Sequence, residues 1–233
     1  AANTVEAIEM GSSVFLIDED TSATNFMIRD ELMQRVVQRD VEPIIPFIDR
    51  VRELYESYGI STILVAGSCG SYFHKADTIL QMNRYEPMEI TAFAKKEAES
   101  FPMPTEKVPH SDKPDMKRIV KADIAFQKDN RIKMKTMGKD GISINKETVD
   151  LRYVEQLVDS EQLNGLAQIL KYMKLHVFDG KTTLQAGVEK LYQQMEKKGF
   201  AAFCGNAVPG NMVLPRKQEI YAMLNRCRNL IKM

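Results

Sequence analysis

The sequence predicts a two-part protein: an α/β region with mostly parallel strands over its first hundred residues, then an α+β region. Three observations predict this order. Short apolar runs at 14–17 and 61–66 alternate with helical patterns, as buried parallel strands do with the helices that connect them. Pro102, Pro104, Pro109 and Pro114 then interrupt a polar stretch where a helix cannot continue. Beyond it, charged and apolar residues alternate over 131–136 ahead of a glycine-containing turn, which predicts a hairpin, and three helical patterns follow.

Taken in order, residues 1–10 read as an amphipathic helix with no initiator Met and no signal pattern, so the chain is expected to be part of a longer one. A strand at 14–17 precedes a helix over 26–37. A second helix over 46–58 has Pro46 suited to its first turn and Gly59 suited to its C-terminal cap. The β-branched run STILVA at 61–66 predicts a buried strand, and a last apolar piece follows at 77–82. In the second half, residues 138–141 turn the hairpin into 142–145, and helices are expected over 161–173, 183–198 and 216–231. The expected organisation is a first domain at 1–98, a linker at 99–116 and a second domain at 117–233, with no internal repeat.

Composition excludes several classes. With 233 residues, 44% hydrophobic and 27% charged, the chain can bury a sizeable core, and no run approaches the roughly 18 apolar residues of a membrane span. Thirty-two basic residues balance 32 acidic ones, so any electrostatic partner must be read from local segregation of charge. Cys69, Cys204 and Cys227 form no CxxC pair, and three isolated histidines offer no ligand spacing. A disulfide framework and a zinc centre are therefore not expected, and a reducing compartment, the cytoplasm, is.

The sharpest local signal is VFLIDE at 14–19, four apolar residues ending in two adjacent carboxylates. At the C-terminal end of a strand the pleat sends Asp18 and Glu19 in different directions, so the pair can divide two tasks. One can hold Mg²⁺ or its waters, and the next can orient and deprotonate a water attacking a γ-phosphate. A buried strand running into an acidic turn would look the same. The next residues, DTSATN at 20–25, are a small polar loop before a helix.

The run VFLIDEDTSATNFMIRD at 14–30 resembles the Walker B strand and D-loop of the predicted ATPases of the ABC class, a bacterial-type family separate from the transporters. Further runs resemble the same family: EPIIPFIDRVRELYESYGISTILVAGS at 42–68, SYFHKADTILQM at 71–82, VDLRYVEQLVDSEQ at 149–162 and PRKQEIYAMLNRCR at 215–228. The resemblance implies the C-terminal half of a P-loop (ABC-class) nucleotide-binding core followed by a family-specific α+β extension. It implies ATP hydrolysis by a homodimer that is not a transporter, with ATP and Mg²⁺ bound, Asp18 at the metal and Glu19 as the catalytic base. Ser22, Ala23, Thr24 and Asn25 would cross to the opposing nucleotide site; Ser, Thr and Asn there could equally cap the following helix. Asp20 stands where transporters carry proline.

Two departures qualify the resemblance. After the strand ending at Val65 the chain reads AGSCGS, without the switch histidine of transporters, so Ser68 is the candidate γ-phosphate sensor; a plain turn is the alternative. The phosphate-cradling GxxxxGK[ST] loop occurs nowhere. Its near miss, Gly180-Lys181-Thr182, has Leu175 at the first glycine position and reads as a helix N-terminus capped by Asp179 or Thr182. A chain with Walker B and no Walker A is expected to bind ATP poorly by itself.

Charge is segregated between residues 107 and 139, where ten basic residues face four aspartates. Lys117, Arg118, Lys121, Arg131, Lys133 and Lys135 are the candidates for contact with RNA or DNA phosphates; a solvated strand face and linker is the alternative. The VDLRYVEQL motif demands no chemistry by its spacing and reads as packing, with Glu155 and Asp159 expected on one helix face.

Overall fold

The computed structural model describes residues 2–37, 44–103, 117–122, 133–145, 147–228 and 230–232. The chain forms two compact units by its contacts: 11–113, and 2–10 with 114–233.

In the first unit, β1 (Val14–Asp18) pairs in parallel with β2 (Ser61–Val65), in register from Val14 opposite Ser61 to Asp18 opposite Val65. Between them lie α2 (Thr24–Met27), α3 (Glu31–Val36) and α4 (Phe47–Tyr58). The expected single helix over 26–37 is two. Ile28 turns extended and Asp30 caps a new helix by accepting from the Met33 N–H at 2.8 Å. Helix α4 starts after Pro46 and ends on Gly59 in the left-handed conformation, as its flanking residues predict. Buried Phe47, Ile48 and Leu54 anchor it, and Phe26 packs on the Phe47 ring at 5.8 Å between centroids.

A short 3₁₀ turn, Gly70–His74, follows β2, then β3 (Leu80–Asn83), β4 (Glu86–Glu89) and α5 (Thr91–Ala98). Strands β3 and β4 are antiparallel, joined through Arg84 and Tyr85, both at positive φ. A two-residue connection can only return the chain beside itself, which requires this hairpin.

The second unit holds two three-stranded sheets. In one, β5 (Ile119–Ala122) lies between β9 (Asp179–Thr183) and β10 (Leu230–Lys232), antiparallel to both. In the other, β6 (Met134–Met137), β7 (Gly141–Ile144) and β8 (Glu147–Asp150) form an antiparallel meander, which carries the expected hairpin. The expectation of mostly parallel strands is therefore corrected: among the described residues only β1 and β2 pair in parallel.

Helices α6 (Ser160–His176), α7 (Leu184–Lys198), α8 (Ala201–Cys204) and α9 (Lys217–Arg226) complete this unit. Leu163, Leu166, Ile169, Leu170 and Met173 of α6 are fully buried at helical spacing, and each aliphatic burial of this kind is worth about 1.5–3 kcal/mol. Helix α9 is shorter than 216–231 predicts, because Cys227 is extended and the chain returns as β10. Helix α1 (Ala2–Glu9) belongs by contact to this unit. Glu9 pairs with Arg118 at 2.8 Å, Glu6 pairs with Arg226 at 2.9 Å, and Ile8 is buried.

The near-miss glycine segment is a strand, not a helix start. Asp179 accepts from the N–H groups of Lys181 and Thr182 and from the Thr182 hydroxyl, which holds its carboxyl down at about 2, and Thr183 caps α7. The 149–157 motif packs: Val149, Leu151, Val154 and Leu157 are buried. Glu155 and Asp159 do not share a helix face, since Asp159 is the N-cap of α6 and Glu155 lies in the turn before it.

Candidate functional site

Parallel pairing decides where the carboxylates go. Because β1 and β2 run the same way, the loops that leave their C-terminal ends emerge at one edge. The Glu19 N–H donates to the Val65 carbonyl at 2.9 Å, extending the ladder one residue beyond Asp18. Asp18 is exposed, and Glu19 is half-buried.

The first loop folds back on its own strand. The Thr21 hydroxyl donates to Asp18 Oδ2 at 2.9 Å, the Ser22 hydroxyl to the Asp18 carbonyl at 2.7 Å, and the Ser22 N–H to the Glu19 carbonyl at 3.1 Å. With its hydroxyl spent there, Ser22 does not cap α2. Ala23 occupies the N-cap position without a side-chain bond, so the capping alternative for Ser22, Thr24 and Asn25 fails. Ala23, Thr24 and Asn25 are exposed.

The second loop brings Ser68 to Glu19. Its N–H lies 3.4 Å from Glu19 Oε2, and its hydroxyl lies 3.4 Å from both carboxylate oxygens, longer than the usual 2.9 Å or so. Gly67 passes so close that a Cβ there would stand 2.7 Å from Asp20 Oδ2. Tyr72 ties the following turn to α2: its buried hydroxyl donates to the Met27 carbonyl at 2.7 Å. Burial, with smaller contributions from Cys69, Glu19 and Asp49, pushes the Tyr72 phenol well above its ordinary value of 10. His74 is bound elsewhere, its Nε2 lying 3.0 Å from the Phe101 carbonyl.

Gly67, Asp20 and Tyr72 are thus part of the site's frame; the sequence marked Asp20 as a departure from transporters without placing it here, and it gave Gly67 and Tyr72 no role. Gly67 carried a signal, a glycine directly after a strand opposite a polar loop; Tyr72 carried none.

The oxygen donors suit a hard cation. Asp18 and the Thr21 hydroxyl fit Mg²⁺, which keeps several waters and takes one or two carboxylates together with substrate phosphates. Among the described residues no three His, Cys, Asp or Glu side chains converge into a closed metal cage.

The basic candidates do not gather at one place. Arg118 is engaged, its guanidinium bound to Glu9 and at 2.7 Å to Asn225 Oδ1, and only 17% of its side chain is exposed. Lys117 and Lys121 are exposed at β5, whereas Lys133 and Lys135 are exposed on the other sheet. Arg131 lies outside the described residues.

The parallel strand pair ends in adjacent carboxylates, and a serine from the next loop faces Glu19. Residues 1–118 match the family model of the ABC ATPase P-loop domain, and residues 133–232 match that of the MRB1590 C-terminal domain. The chain belongs to the ABC ATPase P-loop family. No curated protein matches it. The family points to nucleotide binding. No helix among the described residues is long and apolar enough to cross a membrane.

Proposed function

We propose that this chain supplies the water-orienting side of an ATP hydrolysis site. The observation that supports it is the meeting of Glu19 with Ser68 beside Asp18, at one edge of the parallel pair. Glu19 takes the proton from a water whose oxygen attacks the γ-phosphorus; the bond to the bridging oxygen breaks, releasing ADP and inorganic phosphate. Asp18, steadied by Thr21, would hold Mg²⁺, which supplies charge neutralisation of the phosphates when bound. Ser68 offers its hydroxyl and N–H to the γ-phosphate oxygens, and the exposed residues Ala23, Thr24 and Asn25, with Ser22, face the opposing site of a homodimer.

The domain organisation we propose places this site in residues 1–98, with 99–116 as linker and 117–233 as the extension, in a cytoplasmic ATPase that is not a transporter. Mg²⁺-dependent ATP hydrolysis by the full-length protein is measured beside Glu19→Gln, which keeps the shape and removes the base. Turnover lost with ATP binding retained supports the reading, with a fall of about 10² or more. Equal turnover in the variant, or no ATP binding by the full-length protein, overturns it.

A second reading, binding of RNA or DNA, is favoured by Lys133, just before β6, and Lys135 within it, which are both exposed and two residues apart. If they contact phosphates, affinity for a single-stranded oligonucleotide falls steeply with salt, and Lys133→Gln with Lys135→Gln reduces the salt slope by about 1–2. An unchanged slope removes this reading.

A further inference from the structure

A polar cleft of about 390 Å³ opens in the second unit between strand β6, helix α6 and the segment 209–212. Its size lies at the lower end of the roughly 300–1,000 Å³ of small-molecule sites. Its walls are built rather than incidental. Asn164 of α6 accepts from the Thr136 hydroxyl at 2.8 Å and donates to the Asn211 carbonyl at 2.9 Å, joining all three walls through one amide. Just behind, the segment is pressed onto the helix at Gly165: a Cβ there would stand 2.5 Å from the Val213 carbonyl oxygen, and the Val213 N–H donates to the Glu161 carbonyl at 3.1 Å.

The chemistry of the lining is one-sided. Asn164, Gln168 and Lys171 follow at four and three residues and so share one face of α6, with small Ala167 leaving space between them. Lys135 borders the cleft from β6, and no carboxylate among the described residues lines it. Among the described residues neither Lys135, Gln168 nor Lys171 is committed to an ion pair or hydrogen bond. The outer edge of β6 adds donors. The Asn145 N–H donates to the Lys133 carbonyl and the Lys133 N–H to Asn145 Oδ1, and alternation turns the backbone N–H groups of Met134 and Thr136 away from β7, toward an edge with no partner strand among the described residues. Met134 and Met212 supply the apolar surface.

We propose that this cleft binds a small phosphate monoester, with the Lys171 ammonium and the Gln168 amide taking phosphate oxygens and the methionines packing on the organic body. Two cations with no carboxylate beside them among the described residues select an anion, and a compact ammonium is a phosphate binder. The site is independent of the ATPase reading, since it shares no residue with Asp18, Glu19 or Ser68.

The test follows the methyl signals of Met134 and Met212 in the chain labelled at its methionine methyls, titrated with inorganic phosphate, glycerol 3-phosphate and AMP. Saturable shifts of these two methyls by a monoester are expected, weakened about tenfold by Lys171→Gln, partly restored by Lys171→Arg, and unchanged by Glu19→Gln or by Lys190→Gln on α7. Circular dichroism checks that each variant folds. Glycerol shifting the same methyls as strongly as its phosphate, no saturation with any monoester, or Lys171→Gln binding as wild type overturns the proposal. So does an unphosphorylated RNA oligonucleotide that saturates these methyls where the monoesters do not.

Discussion

Gly67 and Asp20, 47 residues apart in sequence, lie so close that a Cβ on the glycine would meet Asp20 Oδ2 at 2.7 Å and displace it. The loop after β2 thus passes beside the loop after β1, and Ser68 follows Gly67 directly.

Gly67→Ala is expected to separate stability from activity. The atom it strikes is the far end of an exposed aspartate, which can swing away, so chemical denaturation should show a loss within about 1 kcal/mol. ATP hydrolysis by the full-length protein should fall about tenfold, because the share of the overlap that the loop itself relieves shifts Ser68 from Glu19. Asp20→Ala removes the clash, and the double variant should regain part of the rate. A double variant as slow as the single one would show that Gly67 acts through something other than Asp20.

Tyr72→Phe removes a buried hydroxyl and leaves the Met27 carbonyl without its donor, at a cost of about 1–3 kcal/mol by urea denaturation. The phenol's pKa is raised in the folded state, so the unfolded chain releases its proton first. Its contribution is complete below the ordinary value of 10 and is lost as pH rises above it. Tyr221, pushed up to about 12 by burial, acts in the same direction. Wild-type stability should fall above pH 10, and Tyr72→Phe should fall less steeply. Parallel curves for the two proteins would contradict this placement of Tyr72.

Gly165→Ala meets backbone rather than a movable side chain: the Val213 carbonyl oxygen at 2.5 Å and Pro215 Cδ at 3.0 Å. Alanine favours the helix by about 1 kcal/mol, but the overlap costs about 1–3, so a net loss of up to about 2 kcal/mol is expected in urea. Because the 209–212 segment would lift from α6, the Met212 methyl signal should move with it. An unchanged or raised denaturation midpoint would show that the segment yields freely.

Much of the local structure was legible from residues alone. The apolar runs at 14–17 and 61–66 became β1 and β2, although not the buried strands expected, since Leu16, Ile63 and Val65 are exposed; Gly59 closed α4, and 138–141 turned the β6–β7 hairpin, because each signal acts through neighbours in sequence. The segment DGKTT misled for the same reason. Its residues are polar and glycine-containing, and it is a strand only because β5 offers a partner about sixty residues away. The break at 28–30 was missed although Asp30 could have announced a cap.

The sequence by itself determined the family, through the run at 14–30, and the identity of the carboxylates, because a side chain's chemistry travels with its letter. Only the tertiary structure decided what those groups face. Ser68 meets Glu19, Gly67 meets Asp20, Arg118 is spent on Glu9, α1 packs with the C-terminal unit, and the 209–212 segment closes a cleft on α6. The physical reason is common to all of these. Strand pairing and close packing join residues distant along the chain, and no local pattern carries the partner's identity.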